Sequence, residues 1–184
     1  GKSVQLASRG ADVVALDRSP KRLKRVEENA KRLGFEDNIA VQVADAAQWK
    51  PPQPLPYILL DAPCSATGTV RRNPDVLHLK FEQDVQRLSD TQARILDNAF
   101  NILAVGGVLV FCTCSIQKDE GERQIDAFLG RHPSASRLAI SAKEDLNGYD
   151  ESLNEQGDLR ILPHHQSAIG GMDGFFISRV TKVA

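Results

Sequence analysis

No apolar run in the sequence approaches the roughly 20 residues that a membrane span needs. Neither sign of charge is in excess: the 184 residues carry a net charge of −1. That excludes a strongly basic nucleic-acid module, although local basic patches suffice for an enzyme acting on RNA. Cysteine is sparse, with three thiols in the whole chain. An odd count in a chain too large to depend on disulfides points to reduced thiols and a cytoplasmic compartment. There is no CxxC pair, which argues against a zinc site. There is no G-x-G-x-x-G either. Residues 1–16 do not read as a signal peptide, because no charged region precedes an apolar stretch. Internal repeats and low-complexity tracts are lacking.

What is present is a hydrophobic share of 41%, enough for one domain over residues 1–184 with a sizeable core. Residues 2–9 suit a short helix closed by Gly10. ADVVALD (11–17) reads as a strand ending in Asp17. Ser19-Pro20 then opens a helix, serine as N-cap and proline at the first helical position. Leu23, Val26, Ala30 and Leu33 recur at three- and four-residue steps, and Gly34 closes the helix. IAVQV (39–43) is a strand leading to Asp45, and a third strand runs over 56–61 to Asp61. A long helix covers about 83–103, with Val85, Leu88, Ile95, Leu96, Ala99, Phe100 and Leu103 on one side. Gly106-Gly107 turns into the strand VLVFCTC, and a helix follows over about 118–131. The tail reads as a hairpin, LRIL (159–162) against DGFFISRV (173–180).

Strands alternating with helices predict an α/β fold, a mostly parallel sheet covered on both faces. Ligands in such sheets bind at the carboxyl ends of the strands. Asp17, Asp45, Asp61 and Cys114 fall at or just past such ends and are expected on one rim. An acid closing the second strand suits a ribose diol, since its two oxygens accept two hydroxyls. Asp17 fits that role. Asp45 can accept from the exocyclic amine of an adenine. Each acid taken singly also suits a helix cap or a solvated loop. NAD and S-adenosylmethionine both satisfy this logic.

Two apolar runs each deliver a thiol at their ends, LLDAPCSATG (59–68) and VLVFCTCSIQ (108–117). Cys112 lies inside its strand and reads as a buried apolar thiol. Cys114 is nearer the rim, and Cys64 sits beside Pro63 just after Asp61. Packing alone explains one rim cysteine; two at one rim, one beside an acid, make nucleophilic chemistry more credible. Arg71 and Arg72 follow the first thiol and suit flanking phosphates or a solvated charge pair. Lys21, Arg22, Lys24, Arg25, Lys31 and Arg32 read as the solvated face of a helix. His164-His165 lie in a loop without carboxylate or thiol partners, so no metal is expected there, and His78 has no evident partner.

DAPCSATG (61–68), RRNPD (71–75), TCSI (113–116) and DGFF (173–176) resemble the Nop2/Sun RNA cytosine-5 methyltransferases. Within that family the likeness is to members acting on bacterial 16S rRNA. It runs along nearly the whole chain and includes the opening Gly1-Lys2, which matches the end of a P-G-G-K-T loop. Ser3 replaces the usual threonine, and Gly121 stands where asparagine is usual. The resemblance implies a Rossmann-like class I methyltransferase sheet with a C-terminal antiparallel hairpin. It implies S-adenosylmethionine as cofactor, with Gly1, Lys2, Asp17, Asp45 and Asp61 around it, and RNA as partner. Cys114 would attack C6 of the cytosine, Asp61 would hold its N3/N4 edge, and Cys64 would assist release of the C5 proton. Arg71 and Arg72 would meet the RNA.

Gly1 is not a natural start, and GKSVQLASRG reads like the middle of a longer protein. The family's first strand, most of its motif loop and an N-terminal RNA-binding region are expected upstream. The chain is expected to be a monomer. Other readings stay open from the residues: the same family acting on tRNA or another rRNA, an NAD-linked oxidoreductase on the same architecture, or a non-catalytic RNA-binding fragment.

Overall fold

The computed structural model describes residues 1–144, 146 and 148–184. They form two compact units, Gly1–Lys50 and Pro51–Ala184. Among the described residues the strands make two sheets, one in each unit.

The first unit contains helix α1 (Lys2–Ala7), strand β1 (Val13–Asp17), helix α2 (Pro20–Leu33) and strand β2 (Ile39–Val43). Ser19 caps α2 by accepting the Arg22 N–H at 3.4 Å, with Pro20 in the first turn. Gly34 ends the helix at φ +73°, a left-handed conformation that costs glycine nothing. Leu23 and Ala30 are buried, whereas Leu33 is 45% exposed. It occupies the last turn of the helix. Ala7, Ala30 and Ile39 form the core, joined by Val4, Val13, Val26 and Phe35. β1 and β2 pair in parallel, Asp17 opposite Val43. Asp17 and Asp45 therefore close neighbouring strands at the same end.

The second unit holds strand β3 (Leu55–Asp61), helices α3 (Val76–Leu79) and α4 (Glu82–Asn101), strand β4 (Leu103–Thr113), helix α5 (Glu122–Arg131) and strands β5 (Ala135–Arg137), β6 (Leu159–Ile161) and β7 (Phe175–Lys182). The order is β3-β4-β7-β5, with β6 also on β7. β3 and β4 are parallel, and β7 runs antiparallel to β4, β5 and β6. The C-terminal hairpin expected from the sequence is β6 with β7. Leu96, Phe100, Leu109, Phe111, Ile125, Phe128, Phe176 and Val180 build the core between this sheet and α4 and α5.

Details differ from the sequence reading, among them Leu103, which was expected on the long helix and instead opens β4. β4 starts at Leu103, ahead of Gly106-Gly107, and the register slips there: Leu55 pairs Leu103 while Tyr57 pairs Val108. Gly106 takes φ +75°, and a Cβ on Gly107 would stand 2.8 Å from the Ala104 carbonyl oxygen and 2.9 Å from that of Pro56. The glycine pair is thus a bulge inside a longer strand rather than a turn before it. The helix expected over 118–131 is split into a 3-10 turn, Lys118–Glu120, and α5, with Gly121 between them.

Candidate active site

β3 and β4 end side by side, Asp61 opposite Cys112. The Ala62 N–H continues the ladder to the Cys112 carbonyl at 2.9 Å. Cys112 is buried, as its place in the strand requires, yet its sulfur lies 3.6 Å from Asp61 Oδ1 and donates to it. The chain then turns through Pro63 and brings Cys64 over Cys114, one residue past the end of β4. The two sulfurs are 3.4 Å apart. The hydrogen bond to Cys114 is the largest influence on Cys64. Together with burial and the charges of Cys114 and Glu120, it holds the Cys64 thiol well above the usual range, against an opposing backbone contact from Ala66. Cys64 is therefore a thiol, not a thiolate, near neutral pH.

Beneath the thiols is a buried polar network. Glu120 is fully buried, and its Oε1 accepts the Ser65 N–H at 2.9 Å and the Gln92 amide at 3.1 Å. Its Oε2 accepts the Ser65 hydroxyl at 2.5 Å. Gln92 also donates to the Pro63 carbonyl at 2.9 Å, so both residues flanking Cys64 are held. Ser65, Thr67 and Ser115 share hydroxyl contacts of 3.1–3.2 Å. Thr67 accepts the Ile116 N–H at 3.2 Å, and Ser115 accepts that of Gln117 at 3.0 Å. This network ties the Cys64 loop to the Cys114 loop, 50 residues away in sequence.

Glycine at 68 has a steric cause. Its N–H donates to the Cys114 carbonyl at 3.0 Å and its carbonyl accepts from Gly174 at 2.7 Å. A Cβ there would overlap the Gly174 carbonyl and come within 2.9 Å of the Cys114 oxygen. Three sequence stretches, 61–68, 113–116 and 173–176, thus meet at one point because their backbones touch. Ala66, just before, holds φ +59°, a conformation uncommon for a residue with a side chain.

The other expected site residues have distinct surroundings. Arg72 reaches Asp173 Oδ2 from Nε at 2.8 Å and Nη2 at 2.5 Å, pinning the loop before β7, while Arg71 is exposed. In the first unit, Asp17 Oδ1 accepts the Ser19 N–H at 2.8 Å, and its Oδ2 lies 3.5 Å from Arg22. Asp45 Oδ1 accepts the Ala47 N–H at 3.0 Å. Both acids therefore shape the turn that follows their strand and keep lone pairs free for a ligand. Gly1 is the N-cap of α1, and its carbonyl accepts from Gln5. His165 is bound by the Ser152 hydroxyl at 2.8 Å.

Glu120, Gln92, Ser65, Thr67 and Ser115 escaped the sequence reading. A signal existed for one of them. Gln92 stands four residues after Leu88 and three before Ile95, on the apolar stripe of α4, where an uncharged polar residue needs a buried partner.

The family model described as 16S rRNA methyltransferase RsmB/F matches residues 2–181. The ribosomal RNA small subunit methyltransferase B of Salmonella arizonae is 44% identical over 187 residues, covering 99% of this chain and 40% of that protein. Its counterpart from Pseudomonas syringae pv. tomato is 40% identical over 173 residues, 94% of this chain and 37% of that protein. This chain thus spans about two fifths of the length of those curated relatives. The solved structure of NSun6 from Pyrococcus horikoshii with SFG superimposes with a TM-score of 0.73 at 26% identity, over 94% of this chain and 42% of that one. The Rossmann-like α/β architecture expected from the sequence is the one these methyltransferases share. On sequence and fold together, the chain belongs to the 16S rRNA methyltransferase RsmB/F family.

Proposed function

We propose that the protein containing this chain transfers a methyl group from S-adenosylmethionine to C5 of a cytosine in RNA, the RNA being 16S rRNA, in the cytoplasm. The observation that carries the chemistry is the 3.4 Å approach of the Cys64 and Cys114 sulfurs beside Asp61. Both units are read as parts of one catalytic domain.

Cytosine C5 is a poor carbon nucleophile. Addition of the Cys114 thiolate to C6 forms a C–S bond and moves the ring electrons toward C5, which becomes enamine-like. Asp61 holds the N3/N4 edge by accepting from the exocyclic N4 amine, and a proton taken up at N3 neutralises the adduct. Bound S-adenosylmethionine would supply the methyl as an electrophilic sulfonium, leaving a neutral thioether. The C5 proton must then leave so that its bonding pair can expel the Cys114 sulfur from C6. Cys64 assists that step. Its hydrogen bond to Cys114 and the charge of Cys114 are strong causes of its protonated state. Both vanish once the Cys114 sulfur is bonded to carbon. Cys64 thus becomes more acidic in the adduct than in the resting site, which suits it to proton exchange at C5. A well-placed acid or base contributes about 10²–10⁴ in rate.

The cofactor's nucleoside fits the first unit. Asp17 and Asp45 end neighbouring strands, and would offer one carboxylate to the ribose hydroxyls and one to the adenine amine, while Gly1 and Lys2 would meet the methionine part. Arg71 and Arg72 meet phosphates flanking the flipped base. The exposed Arg71 suits that contact, and Arg72 must share its charge with Asp173.

The test uses the full-length protein with methyl-tritiated cofactor and unmodified 16S rRNA. Label is expected in 5-methylcytidine after digestion to nucleosides. Label in another nucleoside, or none, would sink the assignment.

A further inference from the structure

Arg160 stands outside the machinery described so far. Its side chain is 12% exposed, and Nε and Nη2 grip the two oxygens of Glu122, with Nε at 2.9 Å. Burial opposes ionisation of Glu122, but the hydrogen bonds from Arg160 and from its own backbone, with the charges of Arg160 and Lys118, leave its carboxyl below the ordinary value. The remaining Arg160 nitrogen, Nη1, donates to the Ser115 carbonyl at 2.8 Å. The guanidinium carbon lies 4.6 Å from the centre of the Phe176 ring.

The space it occupies is created by Gly121. A Cβ at that position would overlap Arg160 Nη2 and stand 3.1 Å from Phe176 Cγ. The guanidinium therefore leaves no room for a side chain at that position.

We infer that Arg160, admitted by Gly121, is a positioning residue that sets the Cys114 sulfur for attack; this rests on the reading of Cys114 as nucleophile. Two successive carbonyls from Cys114 onward are anchored. That of Cys114 itself is held by Gly68, and the carbonyl of the next residue is held by Arg160. The serine hydroxyl is held separately, by Ser65 and Thr67. Glu122 neutralises the guanidinium, so Arg160 supplies a rigid two-sided fork rather than net charge at the thiol. Loss of the Ser115 contact leaves the Ser115–Ile116 peptide held on one side alone, by Thr67 at the Ile116 N–H, and so loosens the segment that carries the nucleophile. A displacement of about 1 Å in a reacting group costs on the order of 10²-fold in rate.

The experiment compares Arg160→Met, Gly121→Ala and the double variant in the full-length protein. Single-turnover methyl transfer is measured at saturating RNA and cofactor, below the melting range and normalised to the folded fraction. Each single change is expected to lower the rate constant 10-fold or more, with RNA and cofactor affinities within twofold of wild type. Gly121→Ala retains both Arg160 and Glu122, so it carries the test if Arg160→Met folds poorly. Both changes remove the same contact, so the double variant is expected to be no slower than the slower single variant. Unchanged rate constants, or losses that multiply in the double variant, would overturn the inference. A wild-type protein that transfers no methyl group would instead overturn the function on which it rests.

Discussion

The sulfurs of Cys64 and Cys114 face each other at 3.4 Å although 50 residues separate them in the chain. The approach is imposed from below: Glu120 and Gln92 hold the loop on both sides of Cys64, and Ser65 joins it to Ser115. Two thiols at this distance cannot both ionise easily, since like charges in a partly dry site oppose each other. The arrangement suits the proposed division, in which Cys114 is the nucleophile and Cys64 keeps its proton.

Roles divided in this way have a covalent signature. In the full-length protein, Cys64→Ala is expected to accumulate an RNA–protein adduct that survives denaturing electrophoresis, because C6 attack proceeds and release does not. Cys114→Ala, alone or combined with Cys64→Ala, is expected to yield none. Equal adduct in the two single variants would reverse or remove the assignment.

The protonation argument has its own test in alkylation kinetics. Cys64 is held as a thiol chiefly by its contact with Cys114, then by burial. Removing Cys114 lowers the Cys64 pKa toward its ordinary value and raises its thiolate fraction. Cys114→Ala should therefore speed iodoacetamide labelling of Cys64 between about pH 8 and 9, near the ordinary cysteine pKa, read by peptide mass spectrometry. Labelling no faster than in wild type would show that Cys114 does not control the Cys64 proton.

Asp17 requires a substitution that respects its second task. Its Oδ1 accepts the Ser19 N–H at the entry to α2, so alanine would loosen the turn as well as remove the ligand. Asp17→Asn keeps an acceptor for Ser19 and removes the charge. Loss of one charged hydrogen bond is worth about 1.5–3 kcal/mol. S-adenosylmethionine should then bind the full-length protein about 10- to 150-fold more weakly by calorimetry. An unchanged dissociation constant would mean that the ribose lies elsewhere.

Much of the fold was legible because its signals are local. Ser19-Pro20 and Gly34 bracket α2 as capping chemistry requires, and β2 begins and ends where its apolar run does. The acids and thiols at strand ends were legible for the same reason, since each closes or follows an apolar run. Contacts between loops were not. Nothing in the spacing of Glu120 or Arg160 states which distant backbone each will meet, and the three-residue strand β5 is too short for periodicity to register. Gly106-Gly107 misled for a related reason: glycine marks positive φ equally well in a turn and in a bulge.

Glu120, in the turn that follows the Cys114 loop, holds the Cys64 loop through Ser65. It has three donors on two oxygens and no exposure to water. Glu120→Ala strands the Ser65 N–H and one Gln92 amide hydrogen, each at about 1–3 kcal/mol, and leaves a cavity as well. Glu120→Gln is milder. Its carbonyl can take the place of Oε1, and its amide can face Ser65 Oγ, which is free to accept while donating to Ser115 or Thr67. The expected order of urea midpoints in the full-length protein is wild type, then Glu120→Gln, then Glu120→Ala by a wide margin. The glutamine variant also removes a charge that helps keep Cys64 protonated, so its Cys64 should alkylate faster than wild type while the protein stays folded. An alanine variant as stable as the glutamine variant would mean that the carboxylate does not hold the loops together.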